Sequence, residues 1–345
     1  MFGSKSKGLF FDLAGDTALL ARTTGMTAPF VIEELREVPI GDPAEVAEAV
    51  RSLAGVRGSG YANACCGIYP NSRLVARLAI EGRKLRDEGY LSQHVADTLK
   101  IDAAAHTLVP INVGDGSDLA SLKVAPKEIL VCGAQSAEIV VHQNRLLEYG
   151  LFPERLEIGT IATIGGLMSQ LRFTDNKSPL LLLEIGTEST SVLVLTRDGV
   201  DITRSVSFGI SSMIPLVQKE LALKDEESAK KLFFSNSFDF TGMGPQLTKR
   251  LLRELQASIG FYEVQTGQSI NQLCCTLLPA KVGWLQRTLA DVLGMKVHTV
   301  DHAAWLKSMG IEPAEGVQLN DLPPVWTSLM CLMGDYKESA NEAAA

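Results

Sequence analysis

One local pattern occurs twice in this chain of 345 residues and constrains its fold more than any other feature. In the first copy, an apolar strand carries Asp12 near its end and runs into the tight turn Ala14-Gly15-Asp16. In the second copy, the strand Leu180–Ile185 carries Glu184 and runs into a turn that begins at Gly186. The two carboxylates lie about half the chain length apart. Such a repeat predicts an α/β protein made of two duplicated halves.

The composition excludes several classes of protein. The chain has 32 Lys and Arg against 40 Asp and Glu, a net charge of −8, and no dense basic block, which disfavours nucleic acid as a partner. No apolar run approaches the roughly 20 residues of a membrane span, so direct membrane insertion is not expected. The N-terminal residues lack the apolar stretch of a signal peptide, so we expect a cytoplasmic location. The six cysteines include two vicinal pairs without a CxxC motif, which predicts reduced, buried thiols and no metal site.

A segment of different character separates the two copies of the pattern. Residues 81–149 contain a charged helical region followed by strand, helix and strand signals, which predicts a small inserted α+β subdomain. The other predicted parts are the N-terminal part of domain 1 at 1–80, its return and a linker at 150–179, domain 2 at 180–320, and at 321–345 a C-terminal helix returning toward domain 1 with a flexible tail.

A hairpin whose first strand ends in a carboxylate suits a phosphate ligand. The backbone N–H groups of the turn can face a polyphosphate, and the carboxylate can hold Mg2+ through water. Two such hairpins across a cleft would clamp a nucleotide from both sides. Under this interpretation Asp12 and Glu184 lie beside the metal; the alternative is that both bond turn amides in a relict site.

The order and spacing of three segments resemble the PilM-like type IV pilus assembly proteins, which form with FtsA a branch of the actin-like ATPase superfamily. These segments are Ile129 to Leu171, Leu181 to Gly209 and Leu247 to Val297. The resemblance covers nearly the whole chain and implies an actin-like α/β fold, with two duplicated domains around a cleft and a small inserted subdomain. It also implies a relict cleft for ATP and Mg2+, whose contacts would be Asp12, Gly15, Glu184, Gly186, Thr187 and Lys281.

Three departures from the family's motifs argue against ordinary ATP binding. Asp16 puts a negative charge where a phosphate would lie at the first turn, and Glu188 adds another carboxylate at the second. Leu277-Leu278-Pro279 replaces the glycines of the adenosine motif, which adds side-chain bulk and removes an N–H group. We therefore expect no cofactor and no enzymatic activity, with ATP and Mg2+ as the cofactors if the degenerate site still works.

The resemblance implies a cytoplasmic scaffold that associates with the inner membrane through its partners, in a type IV pilus or a related secretion machine. The expected partner is a PilN-like inner-membrane protein, whose cytoplasmic N-terminal peptide would bind in a groove beside the small subdomain. Other pilus platform proteins and self-association are further candidates. Two alternatives stay open: an active actin-like ATPase whose ATP state regulates partner binding or self-assembly, and a sugar or acetate kinase, for which no catalytic base can be assigned.

Overall fold

The computed structural model describes residues 7–55, 60–235, 237–320 and 322–334, and in these ranges the chain forms fourteen strands in three sheets and eleven α-helices. The strands are β1 (Gly8–Ala14), β2 (Thr17–Thr23), β3 (Phe30–Pro39), β4 (Ala62–Ile68), β5 (Leu74–Ala79), β6 (His106–Asn112), β7 (Glu128–Gln135), β8 (Leu151–Ile158), β9 (Leu180–Ile185), β10 (Thr190–Thr196), β11 (Gly199–Val206), β12 (Gln272–Thr276), β13 (Lys296–Val297) and β14 (Ile311–Pro313). The helices are α1 (Pro43–Ala54), α2 (Tyr90–Leu99), α3 (Ser136–Glu148), α4 (Gly159–Phe173), α5 (Ile214–Glu220), α6 (Glu226–Phe233), α7 (Gly244–Leu247), α8 (Lys249–Thr266), α9 (Trp284–Leu293), α10 (His302–Ser308) and α11 (Trp326–Met333).

The two large sheets share one topology. The first has the order β14-β3-β2-β1-β4-β8, and the second has the order β11-β10-β9-β12-β13. In each, an antiparallel meander ends at a central strand, β1 or β9, which then pairs in parallel with a later strand, β4 or β12. A further parallel strand follows on that side, β8 or β13. This shared order confirms the predicted duplication into two α/β halves.

Both central strands are buried along their whole length, as expected for strands covered on two faces. Alternate residues of β1 therefore enter two different cores. Phe11 packs in a core with residues of α1, whereas Phe10 packs in a core that contains most of α11. In β9, Leu181 and Leu183 enter the core of the second half, and Leu182 packs against α4. The helix α4 also contacts α11, so it lies between the two halves.

A third sheet, of order β5-β7-β6, forms a small lobe that contains most of the predicted insertion. Its edge strand β5 begins at Leu74, before the predicted bound at residue 81. Leu146 of α3 and the following Tyr149 pack in a core of the first half together with Phe11, so this helix serves two parts of the molecule. The edges of the small sheet therefore do not coincide with the predicted bounds, which stay a prediction as limits of domains.

The small lobe is tied to the second half at two places. The Arg77 guanidinium donates hydrogen bonds to the backbone oxygens of Val200 and Asp201, at 2.9 and 3.1 Å. In addition, the N–H of Val200 donates to the backbone oxygen of Val113 in the lobe at 3.3 Å. These contacts make the lobe a bridge between the halves.

The helix α11 lies against β1 and α4, in the direction predicted for the C-terminal helix. The predicted flexible tail after residue 334 and the first six residues, on which the signal-peptide interpretation depends, lie outside the described residues. Among the helices of the described part of the chain, none combines the length and the apolar character that a bilayer span requires.

Candidate functional site

The ends of β1 and β9 lead into one cleft between the two halves, with a volume of about 890 Å3. The first predicted phosphate turn contributes Gly15 and Asp16 to its walls, and the second contributes Gly186, Thr187 and Glu188. The two turns that sequence analysis paired across half the chain thus line the same space.

Acidic side chains outnumber basic ones on the walls of this cleft. The carboxylates are those of Asp16, Glu138, Glu188, Glu226 and Glu227, and the cations are Arg73, Arg145 and Lys230. A polyphosphate brings several negative charges, which this excess of carboxylates would repel. The net charge of the cleft walls therefore disfavours a polyphosphate ligand.

The backbone polar groups of the second turn already form hydrogen bonds within the protein. The Gly186 N–H donates to the Ser189 backbone oxygen at 2.9 Å, and the Thr187 backbone oxygen accepts the N–H of Ser211 at 2.9 Å. A Cβ atom on Gly209 would lie 2.4 Å from that same Thr187 oxygen, so only glycine permits this approach. The Gly186 amide, which a phosphate-binding turn would present to its ligand, is thus already paired within the turn.

Asp12 is fully buried and is not among the residues that line the cleft. Its Oδ2 atom lies 2.5 Å from the Ser328 hydroxyl of α11 and 3.3 Å from the Tyr69 hydroxyl. Its Oδ1 atom has no hydrogen-bond partner among the described residues, and a Cβ atom on Gly67 would lie 2.1 Å from it. The absence of a side chain on Gly67 therefore provides the space that the Asp12 carboxyl occupies.

Burial and hydrogen bonds act on the pKa of Asp12 in opposite directions. The Ser328 hydroxyl lies within hydrogen-bond distance of both Asp12 and the Val325 backbone oxygen, which is 2.9 Å away, yet it has one hydrogen to donate. Ser328 is the donor in both contacts, so its one hydrogen is shared between the two oxygens. Burial raises the pKa of Asp12 to about 7, helped by the charge of Glu184 and opposed by the hydrogen bonds from Ser328 and Tyr69. With a pKa of about 7, Asp12 is mostly neutral below that pH and becomes ionised above it.

Glu184 is equally buried and lies against an internal cation. Its Oε2 atom accepts a hydrogen bond from the Thr160 hydroxyl at 2.6 Å, and Nη2 of Arg73 lies 3.6 Å from the same oxygen. Nε of Arg73 also donates to Thr160 at 3.1 Å, which fixes the guanidinium in this position. Burial raises the pKa of Glu184, while Arg73 and Thr160 oppose that rise.

These surroundings do not fit a magnesium ion. Mg2+ binds ionised carboxylates that water can reach, whereas Asp12 favours its neutral form and Glu184 has a guanidinium beside it. Throughout the described ranges, no group of three or more His, Cys, Asp or Glu side chains could hold a metal ion. Within the described residues, the hydrogen bonds to both carboxylates come from side chains.

The remaining predicted contact, Lys281, lies apart from the cleft. It is exposed on the short 3-10 turn Ala280–Val282 and is not among the lining residues, although the preceding Pro279 is. Of the six predicted contacts, Gly15, Gly186 and Thr187 line the cleft, and Asp12 and Glu184 lie beneath its surface.

Leu277 lines the cleft at the position where sequence analysis noted a departure from glycine. Its φ angle is 63°, a left-handed conformation that glycine adopts freely and that costs leucine about 1–2 kcal/mol. Its side chain is buried in a core of the first half with Ala14, Trp305 and Leu329, although the residue directly follows β12 of the second half. The backbone keeps the conformation of a glycine, while the side chain joins the two halves.

Four residues that complete this buried cluster were not predicted: Tyr69, Arg73, Thr160 and Ser328. Each is polar and lies in an otherwise ordinary turn or helix, so its local sequence carries no signal.

Replacing Asp12 with asparagine tests the protonation of this group. The raised pKa means that its contribution to stability is full below about pH 4 and is lost as the pH rises to about 7, by roughly 4 kcal/mol in all. The uncharged asparagine side chain would mimic the neutral acid, so D12N should gain stability relative to the wild type across this range. Urea unfolding at pH 5 and pH 7 measures the difference.

The control for this experiment is D16N, which changes the exposed aspartate of the adjoining turn and should give no such pH-dependent gain. An equal effect of D12N on the free energy of unfolding at both pH values would contradict a neutral Asp12.

A pair of variants at position 277 tests the strained backbone. L277A and L277G both lose the buried side chain, so both should be destabilised by about 2–5 kcal/mol. Because glycine accepts a φ of 63°, L277G should be about 1 kcal/mol more stable than L277A, the reverse of the usual order of these residues. Thermal and urea unfolding of the two variants measures this order. If L277A were the more stable variant, the backbone at residue 277 would not be strained.

Comparisons with known proteins bear on the fold alone. No family model matches the chain, and no curated protein matches it by sequence. Among solved structures, a chain of a PilM-PilN type IV pilus biogenesis complex matches with a TM-score of 0.68 at 17% identity, over 95% of this chain and 98% of that one.

Two weaker matches are the ethanolamine utilization protein EutJ from Carboxydothermus hydrogenoformans and a protein from Bacteroides thetaiotaomicron described as having an actin-like ATPase fold. EutJ gives a TM-score of 0.47 at 11% identity, over 95% and 89% of the two chains. The second gives 0.43 at 10%, over 86% and 91%. Because both TM-scores are below 0.5, the fold assignment depends on the match to the PilM-PilN chain. The predicted actin-like ATPase fold is confirmed, and this chain has the fold found in the PilM-PilN complex.

Proposed function

We propose that this protein is a scaffold of a type IV pilus or related secretion platform, and that it binds the cytoplasmic N-terminal peptide of a PilN-like inner-membrane protein. It acts in the cytoplasm and reaches the inner membrane through that partner. Its nucleotide cleft is degenerate and does not drive a catalytic cycle.

The observation that carries this proposal is the match, over nearly the full length of both chains, to a chain solved in complex as PilM-PilN. The small lobe and the two halves are all included in a match that covers 95% of this chain. At 17% identity the match concerns the fold, so the partner is part of the proposal.

The buried cluster beneath the cleft supports a scaffold over an ATPase. Phosphoryl transfer depends on a metal ion and on backbone or cationic groups aimed at the phosphates. Here Asp12 is buried with a raised pKa, Arg73 lies beside Glu184, and the Leu277 side chain lies in a core of the first half. Each change alone weakens nucleotide binding, and together they remove the metal, part of the phosphate site and the adenosine site.

The peptide would lie at the end of the cleft beside the small lobe. There α3 presents Val141, which is 61% exposed, and the wall continues through Asn71 and Ile40 of the first half. An extended peptide with apolar side chains would cover Val141 and gain the free energy of its burial. This position agrees with the groove that the family resemblance implies.

One observation favours the alternative, an active actin-like ATPase whose nucleotide state regulates partner binding or self-assembly. The cleft still has a volume of about 890 Å3, and both turns still line it. Nucleotide titration decides between the two functions.

Calorimetric titration with Mg2+-ATP should give a dissociation constant near millimolar or no measurable heat. A combined loss of about 4 kcal/mol would turn a micromolar site into such a weak one. In D16N/E188Q, which removes two of the lining carboxylates, any residual binding should become tighter, because the repulsion of phosphate is smaller. Wild-type binding at tens of micromolar or below would support the ATPase instead.

Fluorescence anisotropy with a labelled N-terminal peptide of a PilN-like protein tests the groove. V141D should weaken binding by about tenfold or more, because a charge would replace buried apolar surface. V124D is the matched control, since Val124 is 79% exposed in the small lobe and does not line the cleft. Equal affinities of V141D, V124D and the wild type would show that the peptide binds elsewhere on the protein. The absence of binding by the wild type would contradict the proposed partner.

A further inference from the structure

The outer face of α8 carries an exposed stripe of five residues: Arg250, Arg253, Ala257, Phe261 and Val264. Phe261 is 58% exposed and Val264 is 87% exposed, the highest value for any large apolar side chain of the described residues. The spacing of three and four residues places all five on one side of the helix. This α8 stripe has no function in the cleft or in the peptide groove.

The opposite side of α8 explains why the stripe faces solvent. Leu251, Leu255 and Tyr262 are buried in the core of the second half. Their burial fixes the rotation of the helix, so the stripe cannot turn inward. Its apolar end is therefore exposed as a consequence of the fold.

The charges of α8 run against its own dipole. The first turn contains Lys249 and Arg250 and no acidic residue, although the N-terminus of a helix favours negative charge. Glu254 forms an ion pair with Arg204 of β11. Neither Arg250 nor Arg253 forms an ion pair with any other described residue of the chain. The two arginines of the stripe are thus cations available to a partner.

We propose that the α8 stripe is the interface of a two-fold homodimer, in which α8 packs antiparallel against α8 of a second copy. With Ala257 at the two-fold axis, Phe261 lies opposite Arg253 of the second copy, and Val264 lies opposite Arg250. The same contacts occur again on the other side of the axis, as an isologous interface requires.

This arrangement complements each feature of the stripe. Ala257 is small enough for the helix axes to approach to about 8–10 Å. Arg253 can lie over the ring of Phe261, a cation–π contact, and Arg250 reaches the carbonyl end of the facing helix, where the dipole is negative. Val264 then packs against the aliphatic part of Arg250.

We choose a second copy as the partner because the two ends of the α8 stripe are complementary to each other. Its cations lie at one end, and its apolar residues and the negative helix end lie at the other. An antiparallel copy aligns each end with its opposite.

Cysteine crosslinking of the full chain tests this register. The six native cysteines are buried, so an introduced thiol on the stripe is the accessible one within the described residues. A257C should form a covalent dimer under mild oxidation, since the two copies of residue 257 meet at the axis. V264C alone should crosslink poorly, whereas R250C/V264C should crosslink well. V124C, exposed elsewhere, sets the background.

Sedimentation of the unmodified protein gives the second readout. The wild type should dimerise reversibly, and V264D should raise the dimer dissociation constant by about tenfold or more. A wild type that stays monomeric at high concentration, or an A257C variant that crosslinks no faster than V124C, would overturn the proposal. Neither readout uses the PilN-like peptide or ATP, so failure here leaves the proposed function to its own tests.

Discussion

Two carboxylates buried without full compensation are the constraint on which the rest of this structure depends. Asp12 and Glu184 come from the ends of the two central strands, and each is completely removed from solvent. A pair of buried charges would cost several kcal/mol, so the fold lowers that cost with a proton on one side and a guanidinium on the other. The groups that do so come from α4, α11 and the turn after β4, which brings distant parts of the chain together.

The sequence predicted the fold well because the fold depends on local patterns that repeat. Buried strands, tight turns and the separation of the two copies were sufficient to predict the duplication, and Gly15 and Gly186 of the two turns line one cleft. The buried cluster was not predictable in the same way. Ser328 meets Asp12 across 316 positions of sequence, and whether a strand-end carboxylate faces a cleft or a core depends on such contacts. For the same reason Lys281, placed by its motif alone, lies outside the cleft.

Leu277 shows how one substitution pattern can act on both ligand binding and motion. Sequence analysis predicted added bulk in the adenosine site, but it could not show where that bulk would go. The side chain leaves its own half and packs beside Ala14 and Trp305 of the first-half core. Opening the cleft by rotating the halves would expose this leucine, at a cost of about 2 kcal/mol or more. Leu277 therefore both removes the glycine floor of the predicted adenosine site and holds the two halves together.

A fixed cleft limits how the two proposed surfaces can influence each other. Leu277, the Arg77 contacts to β11 and the hydrogen bond from Trp305 to Ser169 all join parts that would have to move in a hinge closure. Allosteric coupling requires two states that a ligand can bind differently, and these contacts favour one state. A peptide site near α3 and a dimer face on α8 would then be linked only by their fixed relative position. Two membrane-anchored peptides held at a constant separation by a rigid dimer gain affinity from effective concentration, without a change of shape in either copy.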